Sequence, residues 1–263
     1  RIRQLIIDSL PDQLKLPFAL WTRAAIVQLI QRKFGLALPV RTMGHYLKRW
    51  GFTAQKPIKR AYEQRPEAIT AWLKTEYPRI KRRAVAEGAA IHWGDETSLS
   101  TSDPRGRSFA PKGKTPVRPM LSQRRAVSFL STVSNTGTLR FMVLKKPLDA
   151  PTLIKFFTRL CRDADRKVFV ILDNLNVHKA RAVRAWVAAH AEAIALFYLP
   201  AYSPELNPDE YLNGDLKLSV AKRAPARDRD ALLRTATTRL RSLQRRPDQV
   251  KKFFHHPRVR YAA

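Results

Sequence analysis

Val168-Phe169-Val170-Ile171-Leu172-Asp173-Asn174 is a continuous apolar run of strand length, closed by an acidic residue and a turn-prone asparagine. Upstream, Ala89-Ala90-Ile91-His92-Trp93-Gly94-Asp95-Glu96 repeats the pattern, with Asp95 ending the run. Downstream, Leu199-Pro200-Ala201-Tyr202-Ser203-Pro204-Glu205-Leu206-Asn207-Pro208-Asp209 leads into Glu210, near the predicted start of a helix. Acids at two strand ends and on a facing helix are what a two-metal phosphoryl-transfer site requires. Ions about 3.5–4 Å apart need oxygen ligands from rigid, separate elements, with positions left open for phosphate and water.

Between and around these runs the pattern is mixed α/β from residue 88 onward. Strands are predicted at 89–95, 125–134, 138–144, 168–172 and 194–199, the second and third joined at the hairpin signal Asn135-Thr136-Gly137. Helices are predicted near 151–165, 178–193, 206–222 and 228–244. That order predicts a five-stranded mixed sheet flanked by helices. Strands 89–95 and 168–172 lying side by side would bring Asp95 and Asp173 together, a consequence of topology rather than of spacing.

The first 60 residues read as short helices. Thr22 caps a helix with Ile26, Leu29, Ile30 and Phe34 at spacings of three and four, stopped by Gly35. A second helix after Pro39 places Met43, Tyr46, Leu47 and Trp50 on one face and Arg41, His45, Lys48 and Arg49 on the other, a helix-turn-helix pattern. The basic stretch containing Lys56, Lys59 and Arg60 follows. Residues 61–87 read as a basic linker helix kinked or restarted at Pro78, so the division is 1–60, 61–87 and 88–263.

Fifty Lys+Arg stand against 21 Asp+Glu, a formal net charge of +29. This excess predicts a polyanionic partner bound in a salt-sensitive way. A solvated basic surface of the ribosomal-protein kind is the rival reading; the patterned core, with 44% hydrophobic residues, counts against it. No stretch approaches the roughly 20 apolar residues of a membrane span. Cys161 is the only cysteine, which excludes an intramolecular disulfide and reads as a packed thiol in a reducing compartment.

Trp93-Gly94-Asp95-Glu96-Thr97, Leu172-Asp173-Asn174 with His178 beyond it, and above all the Leu199–Glu210 run resemble the signatures of D,D,E transposases, specifically the bacterial IS-six-thirty group of the mariner-like superfamily. The resemblance extends to the loop containing Arg105, Arg107, Lys112 and Lys114, to Tyr46–Arg60 and to the terminal Val259-Arg260-Tyr261. It implies an RNase H-like, retroviral-integrase-like core with Asp95, Asp173 and Glu210 as catalytic metal ligands for two Mg²⁺ ions, Mn²⁺ substituting. It also implies cleavage at terminal inverted repeats, joining of the 3′-hydroxyl to a TA target, a homodimer in the end-joining complex, and a bacterial cytoplasmic, nucleoid-associated location. Thirty-six residues separate Asp173 from Glu210, slightly more than is commonest in the superfamily. Members also carry more helix-turn-helix sequence than precedes Thr22, and the chain begins with Arg1, so part of the end-recognition module is expected to be missing.

Several neighbours compete for these roles. Glu96 follows Asp95 on the opposite strand face; Asp209 precedes Glu210 by about 100° of helix and reads as a helix-start charge favoured by the dipole. The motif decides for Asp95 and Glu210. Glu205 reads as a turn residue. Asn174 and His178 are possible supports behind the ligands, with turn and capping roles as the alternatives. Two other functions fit the same residues: an RNase H-like nuclease or resolvase without strand transfer, and a domesticated non-catalytic DNA-binding protein.

Overall fold

The computed structural model describes residues 1–55, 57, 61–101, 111, 114, 125–223 and 226–263. Two compact units result, Arg1–Arg60 and Ala61–Ala263. Lys56, Lys59, Arg60, Arg105, Arg107 and Lys112 lie outside the described residues.

The smaller unit contains α1 (Ile2–Asp8), α2 (Arg23–Phe34) and α3 (Val40–Arg49). Thr22 Oγ1 accepts the Ala25 N–H at 3.1 Å, and Gly35 closes α2 at φ +68°, a left-handed conformation that favours glycine. Ile26, Ile30 and Met43 form its core, with Leu47 and Trp50 packed against them. Arg41, His45, Lys48 and Arg49 are exposed, and Lys48 and Arg49 fall in the last turn of α3. Tyr46 departs from the predicted buried face. It is 40% exposed and rests its ring 5.7 Å from Trp50, because Met43 and Leu47 already fill the contact with α2.

In the larger unit, α4 (Pro66–Ala71) and α5 (Tyr77–Ala86) are joined by a π-helical turn at Trp72–Glu76. Pro78 cannot donate to the carbonyl four residues back, and the wider turn absorbs that loss. Trp72, Tyr77, Ile80 and Ala84 are buried in the unit's main core, so the segment read as a linker is part of that core. The sheet follows: β1 (Ala90–Ser100), β2 (Ala126–Ser134), β3 (Leu139–Leu144), β4 (Val168–Leu172) and β5 (Ile194–Tyr198), in spatial order β3-β2-β1-β4-β5. The β1–β2 and β2–β3 pairs are antiparallel, and the β1–β4 and β4–β5 pairs are parallel. The connections run through α6 (Ala150–Arg162), between β3 and β4, and α7 (Arg181–Ala189), between β4 and β5. The chain then forms α8 (Asp209–Ala221), α9 (Arg229–Gln244) and α10 (Pro247–Lys251).

Strand β4 shows why its sequence is apolar throughout: every residue is buried, because both sheet faces are covered. Val168, Val170 and Leu172 face Leu153, Phe157 and Leu160 of α6. Phe169 and Ile171 belong to the opposite core with Trp93, Leu212 of α8 and Leu240 of α9. The C-terminal segment closes that core. Phe254 packs edge-on to Trp93 at 5.2 Å, and Tyr261 packs edge-on to Tyr77 at 4.7 Å. Cys161 is a half-buried thiol packed against the α6 core, and burial pushes its pKa up, the opposite of a nucleophile's requirement.

Strand β1 is longer than its apolar run. Pairing with β4 ends at Trp93↔Ile171, while pairing with β2 continues to Ser100↔Ala126. The polar residues beyond Asp95 stay extended because β2 supplies their hydrogen-bond partners, a tertiary effect that overrides composition. Asp95 therefore lies within a strand, just past the end of the parallel pair. A Cβ on Gly94 would lie 2.9 Å from Leu172 Cδ2, 3.0 Å from Thr132 Cγ2 and 3.1 Å from Ser131 O. Gly94→Ala is expected to destabilise the protein by about 1–3 kcal/mol through overpacking, measured as a lower urea midpoint at unchanged slope.

Candidate active site

Three separate elements deliver the three carboxylates. Asp95 comes from β1, Asp173 directly follows β4, and Glu210 occupies the first turn of α8. All three line one cavity of about 510 Å³ at the carboxyl ends of the parallel strands, together with Asn174, Tyr202 and Asn207. Crevices at this end of an α/β sheet are the usual ligand position. A larger cavity of about 670 Å³ opens at the opposite end of the sheet, but its acids Asp163 and Asp165 are engaged by Arg162 and Arg166.

The Leu199–Glu210 run is held by contacts that explain its composition. Asn207 Nδ2 donates to Gly94 O at 3.0 Å, and Asn207 Oδ1 accepts the Asp209 N–H at 3.0 Å, so one side chain docks the start of α8 on β1. Tyr261 Oη donates to Leu206 O at 2.8 Å. Gln64 Nε2 donates to Tyr202 O at 2.7 Å and to Glu205 Oε1 at 2.8 Å, which places Glu205 in the supporting turn and not in the cavity. Tyr202 sits at φ +56°, and its exposed ring lines the cavity rim.

The electrostatics single out Asp95. Burial, followed by the charges of Glu210 and Asp173, pushes its pKa up to about 7. Glu210 is also raised, by burial first and Asp173 second, against the opposing charge of Lys217. Asp173 differs: burial would raise it, but the hydrogen bond from His178 and the Leu175 N–H outweigh that and hold it low. Among the described residues no Lys or Arg forms an ion pair with any of the three. The cluster is an under-neutralised group of oxygen donors, which is the donor chemistry of a hard divalent cation. As they stand, no three His, Cys, Asp or Glu among the described residues close around one point.

The competing residues separate clearly. Glu96 does not line the cavity; burial raises its pKa, and it senses His178 and Asp173. Asp209 corrects the sequence expectation. It does stand in the first turn of α8, but as a 0% exposed carboxyl whose Oδ2 accepts from Ser131 Oγ at 2.7 Å, and burial followed by the charge of Asp95 raises its pKa far above normal, so it is not held there as a charge by the helix dipole. The cause lies in the register: Asp95 pairs with Ser131, and the first turn of α8 lies over both. His178 lies in the 3-10 turn Asn176–Lys179, not at the start of α7; it is 1% exposed, with Nδ1 2.9 Å from Asp173 Oδ1. Asn174 donates through Nδ2 to Leu199 O and accepts from Lys179 Nζ, so it ties two loops together rather than turning toward Asp173. Lys114 is exposed.

Sequence reasoning passed over Asn213 and Lys217. Both share the face of α8 that carries Glu210, three and seven residues on, and that helical spacing was the available signal. Asn213 Nδ2 donates to Asp95 Oδ2 at 2.9 Å, and the positive charge of Lys217 lowers the pKa of both Asp95 and Glu210.

The site is thus framed by a five-stranded mixed sheet, with acids at or just past the carboxyl ends of its parallel strands. Residues 90–233 match the family described as DDE superfamily endonuclease, and the chain belongs to it. Residues 17–76 match the family described as winged helix-turn helix; among the described residues of the first 60, no strand occurs. The chain is similar in fold to the Mos1 strand transfer complex, at 15% identity and TM-score 0.65, covering 100% of this chain and 77% of that one. The mariner Mos1 paired end complex with Mg gives 16% identity and TM-score 0.63, with 100% and 78% covered. The Mos1 transposase paired-end complex with left transposon end gives 17% and 0.61, with 95% and 76% covered. No curated protein matches. The fold is therefore RNase H-like, preceded by a helical helix-turn-helix region. Among the described residues no helix is long and apolar enough to cross a membrane.

Proposed function

We propose that this chain is an insertion-sequence transposase of the IS-six-thirty and mariner-like kind, which cleaves DNA at terminal inverted repeats and joins the freed 3′-hydroxyl to a TA target. The observation that carries this reading is the convergence of Asp95, Asp173 and Glu210, from three separate elements, on one open cavity of a +29 protein. Asp95, Asp173 and Glu210 would hold two divalent cations, Mg²⁺ or Mn²⁺. Such ions lower the pKa of an attacking water or 3′-hydroxyl and neutralise charge building on the leaving oxygen. The protein's own groups do the positioning. The Glu96 N–H and Asn213 fix the two oxygens of Asp95, while the Leu175 N–H and His178 fix Asp173. The N-terminal turn of α8 carries Glu210, and Lys217 offsets part of the negative charge.

The outward face of α3 would read end DNA, with Lys114 and the basic residues around it on the phosphate backbone. An Arg contact to a guanine edge contributes about 1–3 kcal/mol of discrimination, whereas a Lys on phosphate weakens all sequences alike. Arg41→Ala, Lys48→Ala and Arg49→Ala, bound to end DNA and to scrambled DNA, separate these roles; parental binding by all three would remove α3 from recognition. Non-specific binding should fall with salt along a log–log slope of about −5 or steeper, the value for six or more phosphate contacts. Pairing two element ends makes a homodimer the expected active form.

Incubation with labelled end DNA, a TA-containing target and Mg²⁺ tests the function. Joined products support a transposase, and cut but unjoined DNA supports a nuclease or resolvase. Binding without cutting supports a domesticated DNA-binding protein.

A further inference from the structure

We propose that Asn213 is a positioning residue: its carboxamide sets the orientation of the Asp95 carboxylate for cation binding. This inference rests on the reading of Asp95 as a metal ligand. A carboxylate only accepts, so the atom that Asn213 presents at 2.9 Å from Asp95 Oδ2 is its Nδ2 donor. The other oxygen, Oδ1, accepts the N–H of Glu96 at 2.9 Å. One oxygen is thus held by the backbone of β1 and the other by a side chain of α8. With each oxygen committed once, the rotation of the carboxylate is fixed and its remaining acceptor capacity is free for a cation.

Asn213 is not needed to dock α8. Leu212 and Leu216 are buried in the main core, Asn207 bonds Gly94 O, and Asp209 bonds Ser131. At 2% exposure, with Oδ1 buried and unpartnered among the described residues, its amide costs stability, and an apolar residue among these leucines would avoid that cost. Among the described residues, its side chain hydrogen-bonds only to the carboxylate that lines the cavity. A side chain buried at a cost and bonded only to a functional group is explained by that group. Neighbours of this kind typically change metal affinity by about 10–100-fold when removed.

The test uses the full chain and Mn²⁺ alone as probe. Mn²⁺ is titrated while the thermal midpoint is read without DNA, and cleavage of end DNA is read in parallel. Wild type, Asn213→Leu, Asn213→Ala, Asn213→Gln and Asp95→Asn are compared. Asn213→Leu should melt no lower than wild type in chelator and bind DNA normally. It should need about 10–100-fold more Mn²⁺ for half of its thermal shift and for half-maximal cleavage. Asn213→Gln, which keeps the donor, should fall between it and wild type; Asn213→Ala serves if the leucine variant does not fold. An unchanged Mn²⁺ requirement in the folded Asn213 variants, alongside a lost thermal shift in Asp95→Asn, overturns the role of Asn213 and leaves the site reading standing. A thermal shift equal in wild type and Asp95→Asn overturns the site reading itself, and this inference with it.

Discussion

Single replacement of Asp95, Asp173 or Glu210 by Ala is expected to abolish DNA cleavage while the protein still folds and binds end DNA. Ligands that act as a unit are non-additive, so the loss of any one should lower the rate by roughly 10³-fold or more, close to the loss from removing all three. Burial and like charge disfavour ionised Asp95 and Glu210, so Asp95→Ala and Glu210→Ala should melt no lower than wild type in chelator, whereas Asp173→Ala removes the partner of buried His178 and should melt lower. Gel shift, thermal melting and cleavage of labelled ends read the three properties separately. Substantial Mg²⁺-dependent cleavage by Asp95→Ala would reject the assignment. Asp209→Ala is expected to behave differently: its carboxyl is buried against Ser131, so the substitution should register mainly as a shift in stability.

Acid should destabilise the fold through His92. This side chain is buried on β1, and burial followed by the charge of Arg140 lowers its pKa to about 4. In the unfolded chain an ordinary His titrates near 6.5, so between pH 6.5 and 4 the unfolded state binds the extra proton and stability falls as pH falls. At about 1.36 kcal/mol for each pH unit of separation, the contribution lost by pH 4 is roughly 3 kcal/mol. Asp95 and Asp209 are raised and run in the opposite sense, gaining stability as pH falls. The informative quantity is therefore the difference between wild type and His92→Gln. Urea midpoints of the two proteins across pH 4–8 should converge as pH falls, wild type losing its advantage below about 6.5. A difference that does not vary with pH would show that His92 is not held neutral by the fold.

Local chemistry made much of this protein legible in its sequence. The unbroken apolar run Val168–Leu172 read as a strand from its length and the acid–asparagine pair that closes it, and Thr22 and Gly35 mark the ends of α2 because a hydroxyl cap and a left-handed glycine act within a few residues. The three acids and the asparagine–proline run before Glu210 were equally visible, and the structure brings all three acids to one cavity. Tertiary structure alone decided the rest. Strand β1 continues through polar residues because β2 is there to pair with it. Asp209 is buried, not solvated, since Ser131 reaches the start of α8 through a strand register that no local pattern encodes. Asn213 reads in isolation as an unremarkable helix residue; only the packing of α8 over β1 puts its amide against Asp95. The physical reason is one of range. Caps, turns and periodicity act over three or four residues, whereas the partner of a buried polar group in this site lies 78 or 118 residues away in the chain.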